Sequence, residues 1–157
     1  MSIISRRASY GLRTMYRLAE AATDGGSATI AWLAENEQLP RKYLEQVLRD
    51  LKQAHLVDSR SGPHGGCRLA KPATEITVGD VVRALDGEPR PGHCLEEGHD
   101  NEQADCPGCW GISTCAMREV WLELQAAMNR VLDSRTIADL MRRQHELRTV
   151  KADNYQI

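Results

Sequence analysis

Apolar residues recur at helical spacing on both sides of a short break, Gln38-Leu39-Pro40, and this pair of runs constrains the fold more than any other feature of the chain. Before the break, Thr29 is placed to cap a short helix carrying Ile30, Leu33 and Ala34. After it, Pro40 stands near the first helical position of a run to about residue 54, where proline's fixed φ and missing N–H cost nothing. The apolar face of that second helix is Tyr43, Leu44, Val47, Leu48 and Leu51, which leaves Arg41, Lys42, Glu45, Gln46, Arg49 and Lys52 facing outward. Two helices joined by a tight turn, the second polar and basic on its outer side, form the helix-turn-helix pattern.

The segments on either side extend this unit. A first helix is expected over 7–22, with Ala8, Leu12, Met15, Tyr16, Leu18, Ala19 and Ala22 recurring at helical spacing and Asp24-Gly25-Gly26-Ser27 ending it. After the polar helix, a strand over 56–59, a glycine-rich tip over 60–66 and a strand over 67–70 read as a hairpin, and a hairpin in that place is a wing. Thr77 with Asp80 makes a capping box for a helix over 78–85. From 88 to 114 regularity stops in a segment too long to be a mere connection. Beyond Cys115 a wide apolar stripe of Met117, Val120, Trp121, Leu124, Ala127, Met128, Val131 and Leu132 marks about five turns of helix, long enough to pack on more than its own chain. Thr136 with Asp139 caps a last helix, and the polar residues from about Thr149 read as a frayed tail.

The fold class that follows is mainly α: a winged helix-turn-helix with a small β-hairpin wing and a long C-terminal dimerisation helix. The expected divisions are a DNA-binding domain over 1–86, a cysteine-containing loop over 87–114, dimerisation helices over 115–148 and a polar tail over 149–157. An aromatic content of 4% without a single Phe leaves Leu, Val, Ile, Met and Ala to build the core. No window approaches the roughly 18 consecutive apolar residues of a membrane span, so a cytoplasmic location and no membrane partner are expected. No nucleophile–base pair or phosphate loop points to an enzyme.

Charge is distributed unevenly. The net −2 of the chain divides into +4 over 1–72, −7 over 73–114 and +1 over 115–157. A basic front half suits double-stranded DNA, because phosphate contact depends on local rather than total charge. On the outer helix face Glu45 can accept from a cytosine amino group and Gln46 can pair with adenine, while Arg41, Lys42, Arg49 and Arg60 can hold phosphates or groove edges. Tyr43 is either part of that face or part of the core, and His64 at the wing tip is either a phosphate contact or a turn residue.

Four of the five cysteines, Cys94, Cys106, Cys109 and Cys115, fall within 22 residues, the first three of them in the irregular segment. In a reducing compartment such clustering reads as metal binding or redox chemistry before it reads as a disulfide framework. Thiolates suit an iron–sulfur cluster, and four of them complete either a [2Fe–2S] or a [4Fe–4S] unit. Structural zinc is the alternative, although only one Cys-x2-Cys knuckle is present. A thiol switch between Cys106 and Cys109 is another. Cys67 reads as a small buried residue of the wing.

The order of helix, helix-turn-helix with Tyr43-Leu44-Glu45-Gln46, wing with Gly65-Gly66, helix opening Thr77-Val78-Gly79-Asp80, cysteine loop, Cys115 leading to Trp121, and Thr136 to Leu140 resembles the IscR/NsrR (Rrf-two) family of bacterial regulators, from about Ser5 to Leu140. The resemblance implies a homodimer with paired winged helices on a pseudo-palindromic operator, and an iron–sulfur cluster that modulates DNA affinity. It carries over Cys94, Cys109 and Cys115 as ligands. The fourth ligand in relatives is a His three residues after the last cysteine, or an acid or His from the partner's first helix. Here Arg118 takes the first position, and Ser5, Arg6, Arg7, Ser9 and Tyr10 offer neither acid nor His, which leaves Cys106 as fourth ligand with His93 and His99 as substitutes. The IscR-like flank, with Trp121 six residues after Cys115, favours [2Fe–2S]. The wing departs from the family pattern, with Ser61 where an arginine is usual and Cys67 where an aromatic is usual. A competing class is an iron–sulfur electron carrier with no DNA role, which the helix-turn-helix and wing argue against.

Overall fold

The computed structural model describes residues 3–23, 25–60, 62, 65–95, 111 and 113–153, with side chains to residue 150. The element order is α1 (Arg6–Thr23), α2 (Ile30–Glu37), α3 (Arg41–Gln53), β1 (Val57–Arg60), β2 (Gly66–Leu69), α4 (Val78–Asp86), a single 3-10 turn (His93–Leu95), α5 (Ala116–Asp133) and α6 (Ile137–Asp153).

Helix α1 is the central strut. Its buried side is Ala8, Gly11, Thr14, Met15, Leu18 and Ala19, packed against α4, α6, β2, α2 and α3. The Ser5 hydroxyl accepts the Ala8 N–H at 3.1 Å, and Ser5 donates in turn to the Asp86 carboxylate at the end of α4. Arg7 reaches the Leu85 carbonyl and pairs with Asp50 of α3, so one side chain fastens three helices. A Cβ at Gly11 would stand 2.1 Å from Leu85 Cδ1, so a larger residue there would displace the Leu85 side chain where α1 approaches α4.

The helix-turn-helix closes on left-handed backbone. Thr29 accepts the Trp32 N–H at 3.2 Å, and Gln38, at φ 53°, ends α2 with its N–H on the last carbonyls. Pro40 is the N-cap of α3 rather than its first helical residue: its ψ of 130° is extended, while its carbonyl already accepts the Leu44 N–H at 3.1 Å. Leu44, Val47, Leu48 and Leu51 then bury the inner face of α3.

Strands β1 and β2 pair antiparallel with Val57 opposite Leu69 and Arg60 opposite Gly66. A bridge between Ala28 and Cys67 adds the α1–α2 connection to this hairpin, and a Cβ at Gly66 would lie 2.9 Å from the Ala28 carbonyl. Cys67 is buried, as its expected role requires, and burial pushes its thiol pKa up.

Two capping boxes stand back to back. Thr77 and Asp80 open α4, Thr136 and Asp139 open α6, and an isolated antiparallel bridge of Thr77 with Thr136 joins the two through Val78 N–H to the Arg135 carbonyl and Ile137 N–H to the Ile76 carbonyl. Backbone and hydroxyl donation from Thr136, helped by Arg142, lowers the Asp139 pKa from an ordinary 3.8 to about 2. A carboxyl depressed in the folded state stabilises it above the unfolded pKa, and that contribution is lost as pH falls from about 4 towards 2. An Asp139→Asn variant, which still accepts the hydrogen bonds, is expected to show a smaller drop in urea midpoint between pH 6 and pH 3 than the parent; an equal drop would mean the cap does not titrate as described.

Helix α6 runs to Asp153. The tail read as frayed from Thr149 is thus helical four residues further, held on its exposed side by pairs such as Arg143–Glu146 and by the Thr149 hydroxyl on the Glu146 carbonyl.

Candidate nucleic-acid interface and cysteine site

Helix α3 displays its chemistry opposite its core. Lys42, Gln46 and Arg49 are exposed and follow one another at i, i+4 and i+7, on the side away from Leu44, Val47, Leu48 and Leu51. The two flanks of that stripe are tied down. On one, half-buried Tyr43 meets Tyr10 of α1 edge-on with ring centroids 6.0 Å apart, and Asp50 holds Arg7. On the other, Arg41 pairs with half-buried Glu45 at 3.1 Å, and Lys52 donates to Ser59 of β1 at 2.7 Å. The stripe is therefore presented between α1 and the wing with a fixed orientation. Arg60 ends β1 exposed beside it; Ser61 and His64 lie outside the described residues.

Behind the stripe is a carboxylate that the periodicity marked only faintly. Glu37 falls on the apolar register of Ile30 and Leu33, and its side chain is 2% exposed. Arg13 and Arg17 of α1 hold its two oxygens at 2.6 and 2.8 Å. This pairing is the condition for burying an ionised carboxylate, and it locks the residue before the helix-turn-helix turn onto α1.

The cysteine site is described in part. Cys94 lies in the 3-10 turn, which packs on α5, and Cys115 is the N-cap of α5 with no side-chain hydrogen bond to the helix. Both are half-buried free thiols. Gly92 lies so close to Trp121 that a Cβ would come within 2.7 Å of its ring, Gln125 donates to the Pro89 carbonyl at 2.9 Å, and Asn129 donates to Glu88. The segment leading to Cys94 is in this way seated on the helix that Cys115 begins. Cys106, Cys109 and His99 lie outside the described residues, and among the described residues no group of three or more His, Cys, Asp or Glu forms a metal site. His93 is in the same turn as Cys94, and the Arg118 Nε is buried without a hydrogen-bond partner among the described residues.

Helix α5 has no buried residue along its 18 positions. Met117, Val120, Leu124 and Val131 are 38 to 64% exposed, and Ile4, Leu124, Ala127, Met128, Val131 and Leu132 line an apolar groove of about 310 Å³. Among the described residues no helix is long and apolar enough to cross a membrane.

A winged helix-turn-helix that presents a basic stripe beside its wing defines a DNA-binding regulator. The chain belongs to the Rrf2 family, whose model, described as an iron-dependent transcriptional regulator, matches residues 4–143. It is 36% identical over 139 residues to protein rrf2 of Nitratidesulfovibrio vulgaris, covering 88% of this chain and 87% of that one. Among solved structures it is similar to CymR, the global cysteine regulator of B. subtilis, at 33% identity and a TM-score of 0.70 over 90% of this chain and 97% of that one. The IscR of T. potens gives 29% identity and a TM-score of 0.72 over 92% and 89%. The chain is thus a DNA-binding transcription regulator and not an enzyme, and its mainly α fold with a two-stranded hairpin is the one expected from its sequence.

Proposed function

We propose that the chain acts as a homodimer on double-stranded operator DNA, and that an iron–sulfur cluster held by Cys94, Cys106, Cys109 and Cys115 sets its DNA affinity. The observation that carries this reading is the seating of the Cys94 turn on α5, the helix that Cys115 opens. Cys94 and Cys115 fit as donors: both are half-buried free thiols, and Cys115 opens α5 without bonding to it. When bound, the cluster supplies a redox- and iron-sensitive link between the segment over 88–95 and α5. The chain's own residues transmit the state of that link. Trp121, Gln125 and Asn129 hold the segment on α5, and Arg83 pairs with Asp133 at 2.5 Å, tying the far end of α5 to α4 and so to the winged helix. The exposed apolar face of α5 is the surface for the second protomer. Lys42, Gln46 and Arg49 enter the major groove, with Arg41, Tyr43, Glu45, Arg60, Ser61 and His64 around them.

The relatives include both an IscR and a cysteine regulator, so the signal does not follow from family membership. Anaerobic purification tests the cluster directly. The expected protein is coloured, contains iron and acid-labile sulfide, and loses both in a Cys115→Ala variant. A colourless protein with stoichiometric zinc and no iron overturns the cluster in favour of structural zinc. On a duplex selected from a random library by the holoprotein, the holo and cluster-free forms are expected to differ about 5- to 150-fold in affinity.

A further inference from the structure

A second cavity lies away from both the cysteines and the α3 stripe. It measures about 450 Å³, within the usual range of small-molecule sites, and opens between α1 and α6 beside the end of α2. Its apolar lining is Leu12, Leu140 and Leu147, and its polar lining is dominated by Arg13, Arg17, Arg143 and Arg148.

The charges around it are unbalanced. Buried Glu37 is a single negative charge between two guanidiniums: its Oε1 accepts from Arg17, while its Oε2 faces Arg13 at 2.6 Å without a hydrogen bond among the described residues. Glu20 is likewise shared, by Arg17 at 2.8 Å and Arg148 at 3.4 Å, and it also accepts from Tyr16. Burial alone would raise the pKa of Glu20, and these hydrogen bonds more than reverse it, so it stays ionised and is already satisfied. Among the described residues Arg143 pairs with the exposed Glu146 alone, at 2.8 Å. Four guanidiniums thus meet three carboxylates. Arg143 and Arg148, 66% and 56% exposed, are held by solvent-exposed or long pairs of the kind that contribute little, and an incoming anion can replace them.

We infer that this cavity binds an amphipathic organic anion, a carboxylate carried on an apolar body. The carboxylate would take the guanidiniums of Arg143 and Arg148, and the apolar body would cover Leu12, Leu140 and Leu147. A bare inorganic anion would leave the leucines in water, and a neutral apolar molecule would leave the arginines without gain, so the lining selects a ligand with both parts. The site joins α6 to α1 next to the Arg17–Glu37 lock on the helix-turn-helix.

Calorimetric titration of the full chain with sodium octanoate tests the inference, with sodium acetate and 1-octanol as partial ligands. Octanoate is expected to bind at least about tenfold more tightly than either, and an Arg143→Gln/Arg148→Gln variant, both positions being exposed, is expected to lose about tenfold or more for octanoate while leaving octanol unchanged. Leu147→Asn, at a position 48% exposed, should weaken both octanoate and octanol. Circular dichroism verifies that each variant is folded. No binding of octanoate, equal binding of octanoate and octanol, or an unchanged double-arginine variant would each overturn the site. Loss of octanoate in a Leu124→Asn variant would instead place the molecule on α5, with the same consequence.

Discussion

A Leu124→Glu/Val131→Glu variant is expected to elute as a monomer with its helical content intact, and to lose operator affinity about 10²- to 10⁴-fold. Both side chains are exposed and belong to an 18-residue helix without a buried position, so the new charges enter no buried site of the protomer. Met117, Val120, Leu124, Ala127 and Val131 repeat at three and four residues, the spacing of a seam between helices. In a seam, four added carboxylates per dimer face one another without water, and association fails. Two half-sites bound by linked protomers profit from an effective concentration that a monomer lacks, which is the origin of the expected loss. Size-exclusion chromatography with light scattering, followed by fluorescence anisotropy on the selected duplex, checks both parts. A variant that remains dimeric would remove α5 from the interface.

Gln46→Ala has the second large effect. Gln46 stands at the centre of the outer stripe of α3, between Lys42 and Arg49, and is the neutral residue of the three. A good side chain–base pair discriminates by about 1–3 kcal/mol, and a dimer makes two, so operator affinity is expected to fall about 30-fold or more with relaxed preference at one position of each half-site. The slope of log K against log salt should not change, because no charge is removed. Arg49→Ala should instead lower that slope and weaken all sequences alike. Equal affinity of the Gln46 variant for operator and scrambled duplex, with parental strength on both, would show that bases are read elsewhere.

Much of the winged helix is legible before any coordinates. The caps at Thr29, Thr77 and Thr136 are interactions between residues three apart, and the apolar register of α3 is a property of its own 3.6-residue period. Such features depend on nothing distant in the chain. The end of α6 is less legible because Leu147 and Val150 are its only large apolar residues after Met141, too few to mark a stripe where the helix continues. The bridge of Ala28 to Cys67 was not legible at all, since nothing in a short linker announces that it adds to a hairpin nearly 40 residues away.

The break at Gln38-Leu39-Pro40 determined by itself that two helices meet at a turn, and that the second carries an outward polar face. Which part of that face is free was decided only by the tertiary structure. Tyr43 and Asp50 are drawn to α1, and Lys52 to the wing, because side chains from distant segments reach them; Lys42, Gln46 and Arg49 are left outward between those contacts. The burial of Glu37 has the same origin. Its place on the apolar register is local, but the two guanidiniums that make an ionised carboxylate tolerable there come from α1, which only the folded chain brings within hydrogen-bonding distance.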